Sequence, residues 1–291
     1  MVAQENVNPP SPEECRALAA VAATVAIEAG RLIVEERPRD LGVASTKSSV
    51  VDVVTVMDQR SQDLLSRRLA ELRPEDGFFG EEKGGRIGTS QITWVLDPID
   101  GTVNYLYDIP AFAVSVAAVV GDVTVPGAWR PVAGAVVNPS TGECFRAQLG
   151  GGASVQVGDG PTRELRVAAP DRCEVALVGT GFGYVSTRRA HQAAVLTHVL
   201  PSVRDIRRIG SAALDLCHVA DGALDGYYEK GLNAWDMAAG WLVVTEAGGV
   251  VGDGAGGAPT SDLVIAAGEP LHGQLAELVV SAVRRVGPEL G

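Results

Sequence analysis

The sequence has few of the residues that mark disulfide-rich, zinc-binding or nucleic-acid-binding proteins. Among 291 residues there are only four cysteines and four histidines, and no two cysteines form a C-x-x-C pair. We therefore expect reduced, mostly buried thiols and neither a disulfide framework nor a zinc site. Lysine and arginine number 24 against 36 aspartate and glutamate, a formal net charge of −12. This shortage of positive charge argues against general binding to nucleic acid or anionic membranes.

Long hydrophobic runs are also missing. The run from Ala17 to Ile27 is too short to cross a bilayer and stops at Glu28, and the N-terminus is polar and acidic. We therefore expect no transmembrane segment and no signal peptide, and we place the protein in the cytoplasm. Apolar residues make up 46% and charged residues 21% of the chain, which is typical of a folded globular protein.

The composition divides the chain into two halves within one compact unit. We predict a disordered tail at 1–10, an N-terminal α+β half at 11–157 and a C-terminal α/β half at 172–291, joined by a Gly/Pro-rich segment at 158–171. A helix is predicted to start at the Ser11 cap, because proline and two acids follow it.

The remaining periodicity predicts short elements. The first half shows one further helix and a series of strand-like runs, while the second half alternates between the two, as in a layered α/β unit. The helix that starts after Ser11 is predicted to end near residue 38. Further helices are predicted at 59–72, 187–200, 211–220, 234–247 and 271–285. Strands are predicted at 78–81, 92–97, 112–120, 133–137, 143–148, 153–157, 175–178, 203–209, 224–229 and 263–267, and residues 50–57 are apolar and β-branched.

The segment from Asp97 to Thr102 carries the clearest chemistry. An apolar strand runs into Asp97-Pro98-Ile99-Asp100-Gly101-Thr102, and we expect Pro98 to end that strand. Two carboxylates brought together at one turn repel each other unless a divalent cation lies between them, and hard oxygen ligands favour Mg²⁺. A helix or turn starting at Gly101 would add backbone N–H groups for an anion. A plain Asp-capped turn would explain one aspartate but not both.

Two other segments are weaker taken singly. Gly80-Glu81-Glu82 follows an apolar run, and paired glutamates there are often a solvated loop. Asp236 opens an amphipathic helix, where an aspartate is most often a cap. The four histidines do not cluster with these acids and are interpreted as surface or packing residues.

Taken together, three segments resemble the signature sequences of the inositol monophosphatase family, with its bacterial SuhB-type enzymes. They occur in the family's order and at about its spacing, and the resemblance extends over most of residues 12–285. The three segments are Gly80-Glu81-Glu82, Asp97 to Thr102, and Trp235-Asp236-x-Ala238-Ala239-Gly240. Further matches are Lys47-Ser48 through Thr55, Asp58, and Gly210-Ser211-Ala212-Ala213.

The resemblance implies a metal centre with two to three Mg²⁺ ions. Glu81, Asp97 and the backbone carbonyl of Ile99 would hold one ion. Asp97, Asp100 and Asp236 would hold a second, and a third would bind more weakly near Glu81. The expected fold is the α/β/α/β/α layered sandwich of the inositol monophosphatase and fructose bisphosphatase type, an α+β arrangement.

The resemblance also implies roles in catalysis and substrate binding. Glu81 and Thr102 would orient and help to deprotonate the attacking water, and the N–H groups of Gly101 and Thr102 would bind phosphate oxygens. Lys47 and Asp58 would form an outer pair near the entrance. The inositol hydroxyls would be contacted by Asp100, Gly210, Ser211, Ala212 and Glu229.

The implied activity is Mg²⁺-dependent, lithium-inhibited hydrolysis of myo-inositol 1-phosphate by a homodimer, with no membrane and no direct nucleic-acid partner. The same chemistry on fructose 1,6-bisphosphate, histidinol phosphate or 3′-phosphoadenosine 5′-phosphate is the first alternative. An interaction protein in transcription or RNA processing is the alternative of another class. The sequence departs from the family pattern at two places. Asp108 stands where many relatives have glycine, which bears on the pocket edge and the substrate range, and Val123–Val132 is longer than the usual hairpin and is predicted to extend a loop away from the metals.

Overall fold

The computed structural model describes residues 9–47, 53–82 and 85–289, so most of the predicted tail lies outside the described residues. The α-helices are α1 (Pro12–Glu35), α2 (Val56–Leu72), α3 (Thr102–Leu106), α4 (Ser186–Val199), α5 (Ala212–Asp221), α6 (Ala234–Glu246) and α7 (Glu269–Val286). The strands are β1 (Ser45–Thr46), β2 (Val53–Val54), β3 (Gly77–Gly80), β4 (Ile92–Asp100), β5 (Ala113–Gly121), β6 (Trp129–Asn138), β7 (Glu143–Gln148), β8 (Ala153–Val157), β9 (Arg163–Glu164), β10 (Leu177–Thr180), β11 (Asp205–Arg207), β12 (Gly226–Glu229), β13 (Gly249–Gly252) and β14 (Val264–Gly268).

Two large sheets and three helical layers build the body of the described molecule, and β1 and β2 pair separately as a small antiparallel sheet. The first sheet runs β3 to β9 in chain order, and the second has the order β11-β10-β12-β14-β13. Helices α1 and α2 cover the outer face of the first sheet, α5 and α6 lie between the sheets, and α4 and α7 cover the outer face of the second. Each sheet thereby buries both faces. The predicted α/β/α/β/α layering is confirmed.

Helix α1 shows how the outer layer is held. Ser11 caps it, accepting the Glu14 N–H at 3.1 Å, as predicted. Its buried face is rich in alanine, including Ala22, Ala26 and Ala29, and small side chains let the helix lie close to β5 and β6. Among the described residues α1 is the one helix long and apolar enough to span a membrane by length and composition, and half of that window is buried inside the protein.

Strand β4 corrects one prediction. The strand does not end at Pro98 but continues to Asp100, with an irregularity in the ladder between Asp97 and Asp100. Asp97 pairs with Ser115 and Asp100 with Ala113, so three steps on β4 face two on β5. This is a one-residue bulge, and it absorbs Pro98, whose missing N–H then breaks no regular ladder bond.

Other boundaries also differ from the expectations. Helix α2 begins at Val56 and not near residue 59, because Thr55 and Asp58 form a capping box. Within Val123–Val132 the last four residues are strand: β6 begins at Trp129, whose ring packs edge-on against Trp241. The remaining turn joins the ends of β5 and β6 farthest from Ala113. Strand β13 was not predicted, and β9 lies within the segment interpreted as a connection.

Candidate active site

Three carboxylates, two buried and one partly buried, meet where β4 ends beside the first turn of α6. Carboxylate oxygens of Asp97, Asp100 and Asp236 all lie within 4.8 Å of one another. Residues three apart on a regular strand point to opposite faces, so Asp97 and Asp100 could not converge without the bulge between them. No other group of three such metal-ligating side chains occurs in the described ranges.

The carboxylates of this group have strongly perturbed pKa values. Burial, followed by the nearby Glu81, Asp100 and Asp236, holds the pKa of Asp97 well above its usual range. Burial also raises the pKa of Asp236, and Asp100 and Glu81 add to this. Burial raises the pKa of Asp100 to about 6, opposed by hydrogen bonds from Ser211 and from backbone N–H groups of α5. An acidic oxygen cluster of this kind fits a divalent cation, which would favour the charged forms.

Asp236 has two functions at once. Its Oδ2 accepts the backbone N–H of Asn233 at 2.6 Å, which completes the capping box of α6. A carboxyl oxygen of the same residue also belongs to the acidic cluster. The interpretation as a helix cap and the interpretation as a metal ligand are therefore compatible.

Glu81 lies next to this cluster and is paired with a lysine. Lys47 Nζ is 2.8 Å from Glu81 Oε1 and 2.5 Å from Glu82 Oε1. Burial raises the pKa of Glu81 to about 7, although Lys47 lowers it. For Lys47, burial opposes its charge, but Glu81 and Glu82 outweigh this and raise its pKa. The structure thus brings Glu81 to the site's edge, outside the group of three aspartates.

Gly101 and Thr102 form the turn that follows the bulge. Gly101 has φ of +91°, and a Cβ there would lie 3.0 Å from the carbonyl oxygens of Ala111 and Gly210. Only glycine fits this close approach without strain. The short helix α3 begins at Thr102, as the anion-site interpretation expected.

The Thr102 hydroxyl lies between two acceptors. Its Oγ1 is 2.9 Å from the carbonyl oxygen of Ile99 and 3.0 Å from Asp58 Oδ1, and its single proton serves one of them at a time. Asp58 is fully buried and accepts the Thr55 N–H and hydroxyl at 2.8 and 2.7 Å. Among the described contacts, Asp58 therefore binds Thr102, whereas Lys47 binds Glu81 and Glu82. The predicted outer residues Lys47 and Asp58 thus contact different parts of the site.

The second half of the chain supplies the opposite wall. Gly210, with φ of +101°, leads into α5, and Ser211 donates its hydroxyl to Asp100 Oδ2 at 2.6 Å. The Ala213 N–H reaches the same oxygen at 2.7 Å, and the Ala212 N–H adds to this set. The start of α5 is thus attached directly to the acidic cluster.

Glu229, at the end of β12, lies near this wall. Burial raises its pKa to about 7, while Tyr227 and the Arg208 guanidinium lower it. Sequence reasoning did not select Asp215, which is only 1% exposed and has an Oδ1 without a hydrogen-bond partner. Burial raises its pKa to about 9, and Glu229 and Asp100 add to this. Its position one helical turn after Ser211 was the available signal.

Several other predictions can be compared with the structure. All four cysteines are free and buried. Trp94 is fully buried, while Trp235 is partly buried and packs on Phe79. Asp108 has φ of 60°, a left-handed conformation that glycine adopts more readily than aspartate.

The chain is similar to known proteins over most of its length. The family profile described as "Inositol monophosphatase family" matches residues 14–287. The Mycobacterium tuberculosis protein named inositol-1-monophosphatase SuhB is 47% identical over 249 residues, covering 84% of this chain and 82% of that protein. The crystal structure of a Bartonella henselae extragenic suppressor protein, suhB, has a TM-score of 0.79 at 36% identity, covering 90% and 98% of the two chains. A Pasteurella multocida protein named Nus factor SuhB is 37% identical over 241 residues, or 81% and 85% of the chains.

Proposed function

The chain belongs to the inositol monophosphatase family of phosphoric monoester hydrolases, and from this premise we propose that it hydrolyses myo-inositol 1-phosphate in a Mg²⁺-dependent reaction. One observation carries the proposal: the Asp97, Asp100 and Asp236 carboxylates converge within 4.8 Å. Beside them lie a helix start for the phosphate and the acid Glu229 for an alcohol. The relative from M. tuberculosis is named for this activity.

The donor set fits hard divalent cations. Asp97, Asp100 and Asp236 would hold Mg²⁺, with Glu81 and the carbonyl oxygen of Ile99 completing the set for two to three ions. Bound Mg²⁺ would polarise the phosphate, lower the pKa of the attacking water and stabilise the leaving oxygen. The raised pKa values of the aspartates support this assignment, because burial without a cation disfavours their charged forms.

Thr102 is placed to handle the proton of the attacking water. When the Ile99 carbonyl oxygen binds Mg²⁺, Asp58 would be the acceptor of the Thr102 hydroxyl proton. The hydroxyl oxygen would then accept a hydrogen bond from the attacking water. Glu81, paired with Lys47 at the edge of the cluster, would orient that water and help to take its proton. The N–H groups of Gly101 and Thr102 at the start of α3 would bind phosphate oxygens.

The opposite wall would bind the alcohol part of the substrate. Asp100 and Glu229 offer carboxylate acceptors to hydroxyl groups, and Gly210, Ser211 and Ala212 bring backbone close to the same wall. Hydroxyl donors match these acceptors, whereas a second phosphate would meet both carboxylates, with the Arg208 guanidinium as the cation near them. This favours a polyol phosphate over fructose 1,6-bisphosphate and 3′-phosphoadenosine 5′-phosphate.

A substrate panel tests the proposal. kcat/KM is measured for myo-inositol 1-phosphate, fructose 1,6-bisphosphate, histidinol phosphate and 3′-phosphoadenosine 5′-phosphate, with Mg²⁺ and after EDTA treatment. We expect the highest value for inositol 1-phosphate, loss of hydrolysis in EDTA and recovery with added Mg²⁺. Negligible turnover of inositol 1-phosphate beside active turnover of another ester would refute the substrate assignment.

A second function is supported by one observation, the relative named Nus factor SuhB. A role in a transcription complex would act through protein contacts, because the net charge of −12 disfavours direct RNA binding. In cells lacking the native copy, Asp97→Asn separates the roles. A phenotype restored by this variant would show a role independent of hydrolysis, and a phenotype restored only by wild type would assign the role to catalysis.

The homodimer, the lithium inhibition and the cytoplasmic location are also part of the proposal. Light scattering after gel filtration measures the mass of the particle, and a monomer would contradict the expected dimer. Titration of the Mg²⁺-activated reaction with LiCl, using NaCl as the ionic-strength control, tests inhibition.

A further inference from the structure

Strand β12 carries two adjacent tyrosines that face opposite sides of the second sheet. Tyr227 belongs to the core cluster shared with α5 and α6, whereas Tyr228 belongs to the cluster shared with α7. Because successive side chains of a strand alternate, Glu229 lies on the same face as Tyr227. Only one of the two phenols is therefore on the side of the candidate active site.

The neighbouring strand β10 leaves space for this pair. Tyr227 is paired in register with Gly179, and a Cβ at Gly179 would come within 3.1 Å of the Tyr227 ring. Gly181, two residues further, has a φ outside the left-handed region, and a Cβ there would overlap the Glu229 carboxylate. Two glycines on one face thus admit a large ring and a carboxylate against the sheet.

The phenol makes a short hydrogen bond to the acid. The Tyr227 hydroxyl donates to Glu229 Oε2, and within the described residues it is the one hydrogen-bond donor to this carboxylate. Tyr227 is fully buried, so its ring has no freedom to leave this position. With Oε2 engaged by the phenol, Oε1 is the oxygen left for another donor.

We propose that Tyr227 is a positioning residue that fixes the Glu229 carboxylate so that its second oxygen accepts a hydroxyl group of the substrate. The inference rests on the proposed function, since it assigns a role within the alcohol-binding wall. It identifies the substrate class as phosphate esters of hydroxyl-bearing alcohols. An ester without such a hydroxyl gains nothing from the tyrosine.

Kinetics of Tyr227→Phe test the inference, with Tyr228→Phe as the matched control. The substrates are myo-inositol 1-phosphate and p-nitrophenyl phosphate, whose leaving group has no further hydroxyl. For Tyr227→Phe we expect KM for inositol 1-phosphate to rise about 10- to 150-fold, as for loss of one hydrogen bond to a charged group. kcat for that substrate, and kcat/KM for the aryl phosphate, should stay within about twofold. Tyr228→Phe should leave both substrates unchanged.

A second variant covers the case in which Tyr227→Phe does not fold. Gly181→Ala keeps the Tyr227 phenol, but its added Cβ would push against the Glu229 carboxylate. It should raise KM for inositol 1-phosphate without changing kcat/KM for the aryl phosphate. Equal losses on both substrates, or no loss on either, would overturn the positioning role. A wild-type protein that hydrolyses the aryl phosphate but no hydroxyl-bearing ester would overturn the proposed function and this inference with it.

Discussion

The repulsion within the acidic cluster predicts that Asp97→Asn stabilises the metal-free protein and abolishes the Mg²⁺-dependent activity. Two unit charges within 4.8 Å repel by about 3–4 kcal/mol at an effective dielectric constant of 20. Protonation relieves part of this repulsion, so we expect the substitution to stabilise the metal-free protein by about 1–3 kcal/mol at pH 8. The asparagine amide oxygen can still accept the Ile99 N–H that Asp97 Oδ1 binds at 3.1 Å.

The sign of the pH dependence follows from the raised pKa of Asp97. When the pKa of an acid is higher in the folded state, the protein loses stability as the pH rises above the acid's unfolded pKa, here 3.8. The advantage of Asp97→Asn should therefore be small near pH 4 and grow toward pH 8. For a chain of this size, about 2–4 °C per kcal/mol gives a rise in Tm of roughly 2–12 °C in EDTA.

Thermal unfolding with and without Mg²⁺ measures both effects. Wild type should gain stability with Mg²⁺, by about 2.7 kcal/mol at 100 times Kd, whereas Asp97→Asn should gain little and hydrolyse no ester. Asp63→Asn, an exposed change of the same charge on α2, is the control. A variant melting at or below wild type in EDTA would refute the repulsion argument. Full retention of the Mg²⁺ shift and of activity would refute the metal assignment.

Three further predictions concern single positions. Asp215→Asn should flatten the pH dependence of stability between pH 4 and 9. In the wild type the pKa of about 9 lowers the free energy of unfolding by up to ~1.4 kcal/mol per pH unit above 3.8. Urea unfolding at several pH values measures this, and an unchanged slope would contradict it. Gly101→Ala should destabilise by about 1–3 kcal/mol and reduce hydrolysis, whereas Gly127→Ala, also at positive φ but with open space around it, should affect stability alone; equal kinetics in the two variants would argue against crowding at the site. Thr102→Val should lower kcat about 10²- to 10⁴-fold while Thr102→Ser retains most of it, and a fully active Thr102→Val would remove the hydroxyl from the mechanism.

Local signals predicted most of the elements. Ser11, Pro12 and the acids after them identify the start of α1, since cap preferences depend on neighbouring atoms only. Helix α2 was predicted too short because the capping box at Thr55 is also consistent with the end of a strand. Strand β13 was missed because a four-residue strand rich in glycine has little periodicity of its own.

The site was predictable as a set of residues but not as an arrangement. Asp97 and Asp100 stand out by spacing, yet their convergence depends on a bulge that forms only against β5. Asp236 was selected because of the family resemblance, and its dual use as cap and cluster member is visible only in the packed helix. Asp215 carries no sequence signal beyond its helix position, since burial of a charge is set by what packs over it.

The family, the order of most elements and the acidic residues of the candidate site could be predicted from the amino-acid sequence. Capping, periodicity and motif spacing act over a few residues, so they can be identified along the chain. The tertiary structure alone decided which acids meet, which of them pair with Lys47 or Tyr227, and how far their pKa values move. These properties depend on how the elements pack in three dimensions, as in the 2.6 Å contact between Ser211 and Asp100, which are 111 residues apart. Part of the excess of acidic over basic residues is thus concentrated in one cluster, that of Asp97, Asp100 and Asp236.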